Sequence, residues 1–348
     1  MHCQQGVVQV NTVVFEQQRL AYVWSVILIA VALCACLLGA GIGSTGFENV
    51  LHVRSDPVAW QIVRDIRLPR TIGAWLAGAL LGLSGALAQG LFRNPLADPY
   101  LLGSASGASL GVAVALAFCG VSPMATHWLV RLGLTGAAFA GAVGAVLLTL
   151  MLARGVQHTL RLLLAGVIVG VVLGAFSSLT MLLVPEVMQA MQAFLLGSTA
   201  FVGWSAIGLM ACVWAVCVAV SWSLSRVLDG LTLGEDTARS LGLRLPPLRA
   251  ALIAVLALAI GTAVAQTGLI AFVGLASPHL VRSLVKATHN RLVFLSSLMG
   301  GILLLAADLL ARWVIAPMEL PVGVLTALIG GGYLLWLMHA QNRRSGTI

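Results

Sequence analysis

Charge is what this sequence has least of. Only 9% of its 348 residues are Asp, Glu, Lys or Arg, where a soluble domain carries about a quarter. So few charges cannot clothe a water-facing surface. Whole runs have none: 21–47, 71–92, 99–130, 132–153, 162–185, 187–225, 250–281, 292–307 and 320–342. A bilayer crossing takes about 20 apolar residues, so most of these runs supply one, and 187–225 supplies one with a further segment. Helices are the economical way across, because every backbone polar group must find its partner inside the lipid. The alternating ten-residue segments of an outer-membrane barrel are missing.

Lysine is scarcer still. Lys286 stands alone and is followed by Ala287. A P-loop needs Gly-x-x-x-x-Gly-Lys-Ser/Thr to cradle phosphates, so this chain is not its own P-loop ATPase, and ATP-driven work would need another subunit. The six cysteines (Cys3, Cys34, Cys36, Cys119, Cys212 and Cys217) show neither metal-type nor disulfide-type spacing. Several lie in apolar runs, as small buried hydrophobes do. The histidines are solitary. His279, inside Ser-Pro-His, has no His, Cys or Asp at ligand spacing, so no metal site is expected. No nucleophile–base arrangement or pair of carboxylates can be assembled. The sequence therefore predicts no catalytic residue and no cofactor.

What charge there is carries direction. The net charge is +8. In a membrane protein this reads as orientation, not as nucleic-acid binding, since Lys and Arg gather in cytoplasmic loops. With the N-terminus inside and about ten crossings, thirteen of the nineteen Lys and Arg fall on the cytoplasmic side. Of the six outside, four crowd residues 54–70 (Arg54, Arg64, Arg67 and Arg70). A rule broken in one place points to a local use. The first apolar run is longer than a signal-peptide core and reads as a retained helix.

The expected organisation is a cytoplasmic segment 1–19, one transmembrane domain 20–340 with an inner loop 224–249, and a basic tail 341–348. The crossings are placed at 20–40, 60–92, 100–118, 128–153, 161–183, 201–223, 250–266, 278–288, 292–315 and 322–340. The second to fifth and the seventh to tenth both run long, short, long, long, and the two sets start from opposite sides. That is the pattern of an inverted repeat. Small residues recur every fourth position at Gly103, Gly107 and Gly111; at Gly136, Ala140 and Gly144; and at Gly166, Gly170 and Gly174. Such stripes let helix backbones approach closely.

Four stretches carry more specific text. IRLPRTIGAWLAGALLGLSGALAQGLFRNPLADPYLLGSASG (66–107) holds Arg67 and Arg70 around Leu68-Pro69 and a polar turn from Asn94 to Pro99. Interfacial arginines commonly snorkel or pair with nearby acids, here Asp56 and Asp65. LTLGEDTARSLGL (231–243) has Glu235 and Asp236 placed for a first helical turn, where the dipole favours acids, and an apolar face of Leu233, Ala238 and Leu241. GLIAFVGLASPHLVR (268–282) and ELPVGVLTALIGG (319–331) lie further on. Arg312 follows Asp308 by four positions, so the two can pair on one helix face. Gln157, His158 and Thr159 join two crossings at the inner face, and by position alone they are an inner-gate candidate.

Together these stretches resemble the permease subunit of the ABC importers for ferric siderophores, haem and cobalamin, the FecCD family, over about residues 60–340. The resemblance implies an all-α polytopic homodimer in the bacterial inner membrane, with the pathway at the dimer interface and both termini cytoplasmic. Its implied partners are membrane lipid, two ABC ATPase subunits and a periplasmic or lipid-anchored substrate-binding protein, with ferric siderophore the first cargo and haem or cobalamin next. It implies ATPase coupling at Leu233, Gly234, Glu235, Ala238, Arg239, Leu241 and Gly242. Binding-protein docking is implied at Arg67, Arg70 and Arg312, and pathway lining at Gly166, Gly170 and Gly174. One departure is visible: the family often has a proline after the glycines near the chain's end, where this sequence reads Gly330-Gly331-Gly332-Tyr333. The rival class is an ion-coupled secondary transporter, which wants acids in mid-membrane, and Asp308 is the one that qualifies.

Overall fold

The computed structural model describes residues 2–43, 46–47, 56–119, 128–153, 159–240 and 242–345. Helices account for almost all of it. Helix α1 is His2–Gly41. A two-residue antiparallel pair, Ile42–Gly43 with Gly46–Phe47, follows. Helix α2 spans Pro57–Phe92 and contains a π-helical turn at Val63–Arg67. A 3-10 turn, Pro99–Leu102, leads to α3 (Ser104–Cys119), α4 (Trp128–Leu152) and α5 (Thr159–Leu183). A short surface helix α6 (Glu186–Leu196) precedes the long α7 (Trp204–Thr232). Then come α8 (Glu235–Ser240), α9 (Leu245–Thr267), α10 (Val273–Leu284), α11 (His289–Trp313) and α12 (Val322–Ser345).

Among the described residues, seven helices are long and apolar enough to cross a membrane, and two shorter apolar ones lie at Ser104–Phe118 and Val322–Trp336. With the twelve-residue α10 they account for the ten expected segments. The expected boundaries shift in three places. Helix α1 starts at His2, so the polar N-terminal segment continues the first crossing. Helix α7 runs nine residues past the expected 223, which leaves the inner loop much shorter. Helix α10 begins at Val273 and takes Pro278 into its body.

Local sequence explains where the elements begin. Asp56 caps α2 by accepting from the Val58 N–H at 2.9 Å, with Pro57 in the first turn, where its missing N–H costs nothing. At the other end Arg93 adopts a left-handed conformation. The turn that follows closes on itself: the Leu96 N–H donates to Asn94 Oδ1 at 2.9 Å and the Tyr100 N–H to Asp98 Oδ1 at 2.7 Å. Tyr100 Oη then donates to the Ile270 carbonyl at 3.1 Å. The Pro-bounded turn is thereby fixed to the second half of the molecule.

Helix α2 is the axis of the bundle. Its apolar window is 89% buried, against 17–22% for those of α1, α5 and α7. It crosses α11 in antiparallel fashion along Gly78, Gly82, Ser296 and Gly300, where backbone touches backbone. Exchanging the two halves of the chain maps the α2–α11 packing onto α9–α4, and both packings are present. Both quartets (α2 to α5 and α9 to α12) run long, short, long, long, as the repeat predicts.

The glycine stripes divide. Gly107 and Gly111 pack on Gly141 and Ala137 of α4, so close that a Cβ would come within 2.1–2.2 Å of a carbonyl oxygen. Gly136 and Gly144, in contrast, meet nothing within 4 Å. The packing glycine of α4 is Gly141, which lies off the stripe. The stripe on α5 also has partners within the chain. A Cβ at Gly166 would sit 2.1 Å from the Leu101 carbonyl, and Gly170 and Gly174 face Gly103 and Ser106. Within the chain this stripe packs against the turn before α3 and the first residues of α3. The outward face of α5 is instead Val167, Ile168, Val171 and Phe176, all exposed.

Candidate functional site

Two polar assemblies stand out from the apolar body, one at each end. The outer one, so called because the sequence expects that end to face outward, gathers around Asp308, whose side chain is wholly buried. Arg70 donates to Asp308 Oδ1 through Nε at 3.1 Å and Nη2 at 3.0 Å. Arg312, one turn along α11, pairs with Asp308 Oδ2, and Thr199 donates its hydroxyl to Oδ1. Arg312 also reaches Thr71 Oγ1 and the Gly39 carbonyl, each at 3.3 Å. One carboxylate thus joins α1, α2, α11 and the turn before α7. On the outer side Arg70 Nη1 donates to both oxygens of Glu319, at 2.9 and 2.7 Å.

The i,i+4 pairing of Asp308 with Arg312 is as the sequence predicts. The pairing of the outer arginines with Asp56 and Asp65 is not seen for Arg70, which takes Asp308 and Glu319 instead. Nor are these three arginines open sockets: the relative exposures are 6% for Arg67, 7% for Arg70 and 1% for Arg312. The physical reason is the cluster itself. Guanidinium groups this deep call for paired charge, and Asp308 and Glu319 supply it to Arg70 and Arg312. Neither Glu319 nor Thr199 could be found from the sequence, since both arrive from loops distant along the chain. Asp308 carries two arginines, so it is a structural counter-ion and not a free acid able to load a coupling ion.

The assembly at the opposite end, the one expected to face inward, is built on α8. Gly234 and Gly242, both at positive φ, start and stop a six-residue helix. Its Glu235 accepts from Arg249 Nη2 at 2.6 Å and lies 3.8 Å from Arg239. Burial raises the Glu235 pKa, but the hydrogen bond and charge of Arg249, with Arg93 and Arg239, outweigh it and hold the carboxyl below its usual range. Glu235 therefore ties α8 to the start of α9. The expected apolar face is split. Ala238 turns inward and is wholly buried, while Leu233 is 64% exposed; a six-residue helix pinned on one side has a single outward face. Leu241 lies outside the described residues. So do Gln157 and His158 of the inner-gate candidate, and for Thr159 only the backbone is described.

The Glu235 contact gives a pH prediction. Its carboxyl titrates lower in the folded chain than in the unfolded one. The folded state therefore gains from its charge at neutral pH and loses that gain as pH falls through the lowered value. Hydrogen-exchange protection of residues 235–240, corrected for intrinsic rate, should drop in a step below the usual carboxylate range. Glu235→Gln should show no step, and an identical step in that variant would refute the assignment.

A second inner feature was not legible in the sequence. Gln89 donates to the Leu275 carbonyl at 3.1 Å and accepts from Arg282. Asp229 accepts from the His289 backbone N–H at 3.1 Å and lies 2.7 Å from His289 Nδ1. These bonds tie the inner ends of α2, α7, α10 and α11. Among the described residues no three His, Cys, Asp or Glu side chains come together as a metal site would need.

The model of the FecCD transport family matches residues 26–340. The chain is 36% identical over 326 residues to the hemin transport system permease protein HmuU of Yersinia pestis, covering 92% of this chain and 96% of that one. It is 35% identical to the iron(3+)-hydroxamate import system permease protein FhuB of Bacillus subtilis (92% and 84% covered). It is 37% identical to the vitamin B12 import system permease protein BtuC of Salmonella paratyphi A (94% and 98%). Among solved structures, an inward-facing metal-chelate-type ABC transporter superposes with a TM-score of 0.80 at 30% identity, covering 93% of this chain and 99% of that one.

Proposed function

Because the chain belongs to the FecCD transport family, we propose that it carries an intact metal chelate (a ferric siderophore, haem or cobalamin) across the bacterial inner membrane as the permease subunit of an ABC importer. The observation that carries this reading is the joint match in sequence and fold over nearly the whole chain. The three named relatives differ in cargo yet lie within two percentage points of identity, so identity does not choose among the three chelates. A second copy of the chain completes the pathway, and both termini face the cytoplasm. Two ATPase subunits seat on the outward edge of α8, with Leu233, Gly234, Glu235, Arg239 and Gly242 the coupling residues and Ala238 the buried foot. The substrate-binding protein docks on the outer assembly: Arg67 and Arg70 are nearest to it, and Arg312 lends charge from beneath through Asp308.

Uptake of labelled ferric hydroxamate, haem and cobalamin, in cells with and without the gene, tests the reading. Loss of one label identifies the cargo. Undiminished uptake of all three sinks the metal-chelate assignment. Arg249→Met probes the coupling surface. It should lower the amount of ATPase that copurifies, with little change in thermal unfolding. Full ATPase recovery would remove Glu235–Arg249 from the coupling role.

A further inference from the structure

Arg70 is proposed to meet a docking protein, yet its side chain is only 9% exposed. Glu319 accounts for the difference. The guanidinium is divided between two carboxylates. Nε and Nη2 turn inward to Asp308, and Nη1 alone turns outward, held by both oxygens of Glu319. The two acids are not equivalent. Asp308 has no exposed side-chain surface, whereas that of Glu319 is 30% exposed. Asp308 is fixed in the body of α11 and shared with Arg312 and Thr199. Glu319 sits in the turn between α11 and α12, and among the described residues its carboxylate hydrogen bonds run to Arg70 alone.

We propose that Glu319 is a built-in stand-in for a partner's carboxylate: it occupies Arg70 Nη1 while the permease is undocked and is displaced by an acidic side chain of the substrate-binding protein. The proposal rests on the docking reading above. The exchange is cheap where it happens and costly where it does not. A partly exposed ion pair contributes little, so swapping one carboxylate for another at Nη1 changes the balance slightly. Disturbing the buried Asp308 side would strand charge in the interior, and that half of the cluster stays as it is. Arg70 Nη1 already holds both oxygens of one carboxylate in charge-assisted hydrogen bonds, so an Asp or Glu is the occupant that fits in its place. Trp313 and Met318, 70% and 71% exposed, flank the same turn and offer apolar surface beside the charge, as protein interfaces do.

The test uses the intact permease–ATPase complex in nanodiscs. The probe is the binding protein loaded with the cargo found in the uptake assay. Glu319→Gln should tighten docking by about fivefold, the gain from removing a weak internal competitor. Arg70→Gln should abolish docking, with Arg70→Lys as its substitute if the glutamine variant does not fold. Unchanged or weaker docking of a folded Glu319→Gln complex, with docking lost at Arg70, overturns the stand-in and leaves the docking reading in place. Wild-type docking by the Arg70 variants overturns both.

Discussion

Asp308→Asn is expected to unfold the detergent-solubilised permease about 10 °C below the wild type. The change is nearly isosteric, so packing is not the cause. It removes the one negative charge that Arg70 and Arg312 share in the interior and leaves two guanidinium groups facing each other. Breaking a buried pair by deleting one partner costs about 3–5 kcal/mol, and each kcal/mol moves a midpoint by roughly 2–4 °C in a chain of this order. Thermal scans at a fixed rate would measure it, since unfolding in detergent is commonly irreversible. The triple change Asp308→Leu, Arg312→Met and Arg70→Met should recover much of the loss, because no guanidinium is then left facing the interior unpaired. A variant with a wild-type midpoint would show that the cluster contributes nothing to stability.

Gly300→Leu is expected to do more damage, costing above about 4 kcal/mol and abolishing folded protein in the membrane. Even a Cβ at this position would lie 2.3 Å from the Gly78 carbonyl and 2.8 Å from the Gly82 Cα. These are backbone atoms of α2 and cannot rotate away, so α2 and α11 would have to separate. That separation would open the central helix pair and the outer cluster bound to it. Gly144→Leu is the control, since nothing lies within 4 Å of a Cβ there and the side chain would add to an already apolar surface. Expression and size-exclusion behaviour of the two variants would measure the contrast. Equal behaviour would mean that the α2–α11 crossing is not a close-packed contact.

These two residues also mark how far the sequence could be read. Long runs without charge are a one-dimensional property, so the order and approximate place of the ten apolar segments are legible, whereas the starts of α1 and α10 and the end of α7 are not. The turn Asn94–Pro99, whose bonds are local, was legible too. Glycine packing was only half legible. Spacing by fours places residues on one face but does not say which face meets a helix: Gly107 and Gly111 pack, Gly136 and Gly144 do not, and off-stripe Gly141 does. The Gly166 stripe packs on Leu101 and Ser106, which come from another helix and its leading turn, so its contacts within the chain are not written in its spacing. The charge cluster shows the same limit. Asp308–Arg312 is an i,i+4 pair and was anticipated. The Arg70–Glu319 contact joins residues 249 apart and leaves no trace along the chain.

The π-helical turn at Val63–Arg67 bears on how the outer stub of α2 meets the rest. In an unbroken α-helix Arg64, Arg67 and Arg70, three residues apart, would step back around the axis by about 60° at a time. Here Arg64 is 69% exposed at its side chain, while Arg67 and Arg70 are buried. The wider turn holds one extra residue, and one residue is about 100° of azimuth in an α-helix. The stub and the crossing therefore run out of phase with each other, like two lengths of thread joined off their start. Deleting any one residue between 63 and 67 would bring them back into phase. It would restore a plain α-helix and leave the outer stub, Trp60 included, on the side it occupies now, because the wider turn already absorbs the extra residue; a deletion between 57 and 62 or beyond 67 would instead rotate what precedes it by about 100°.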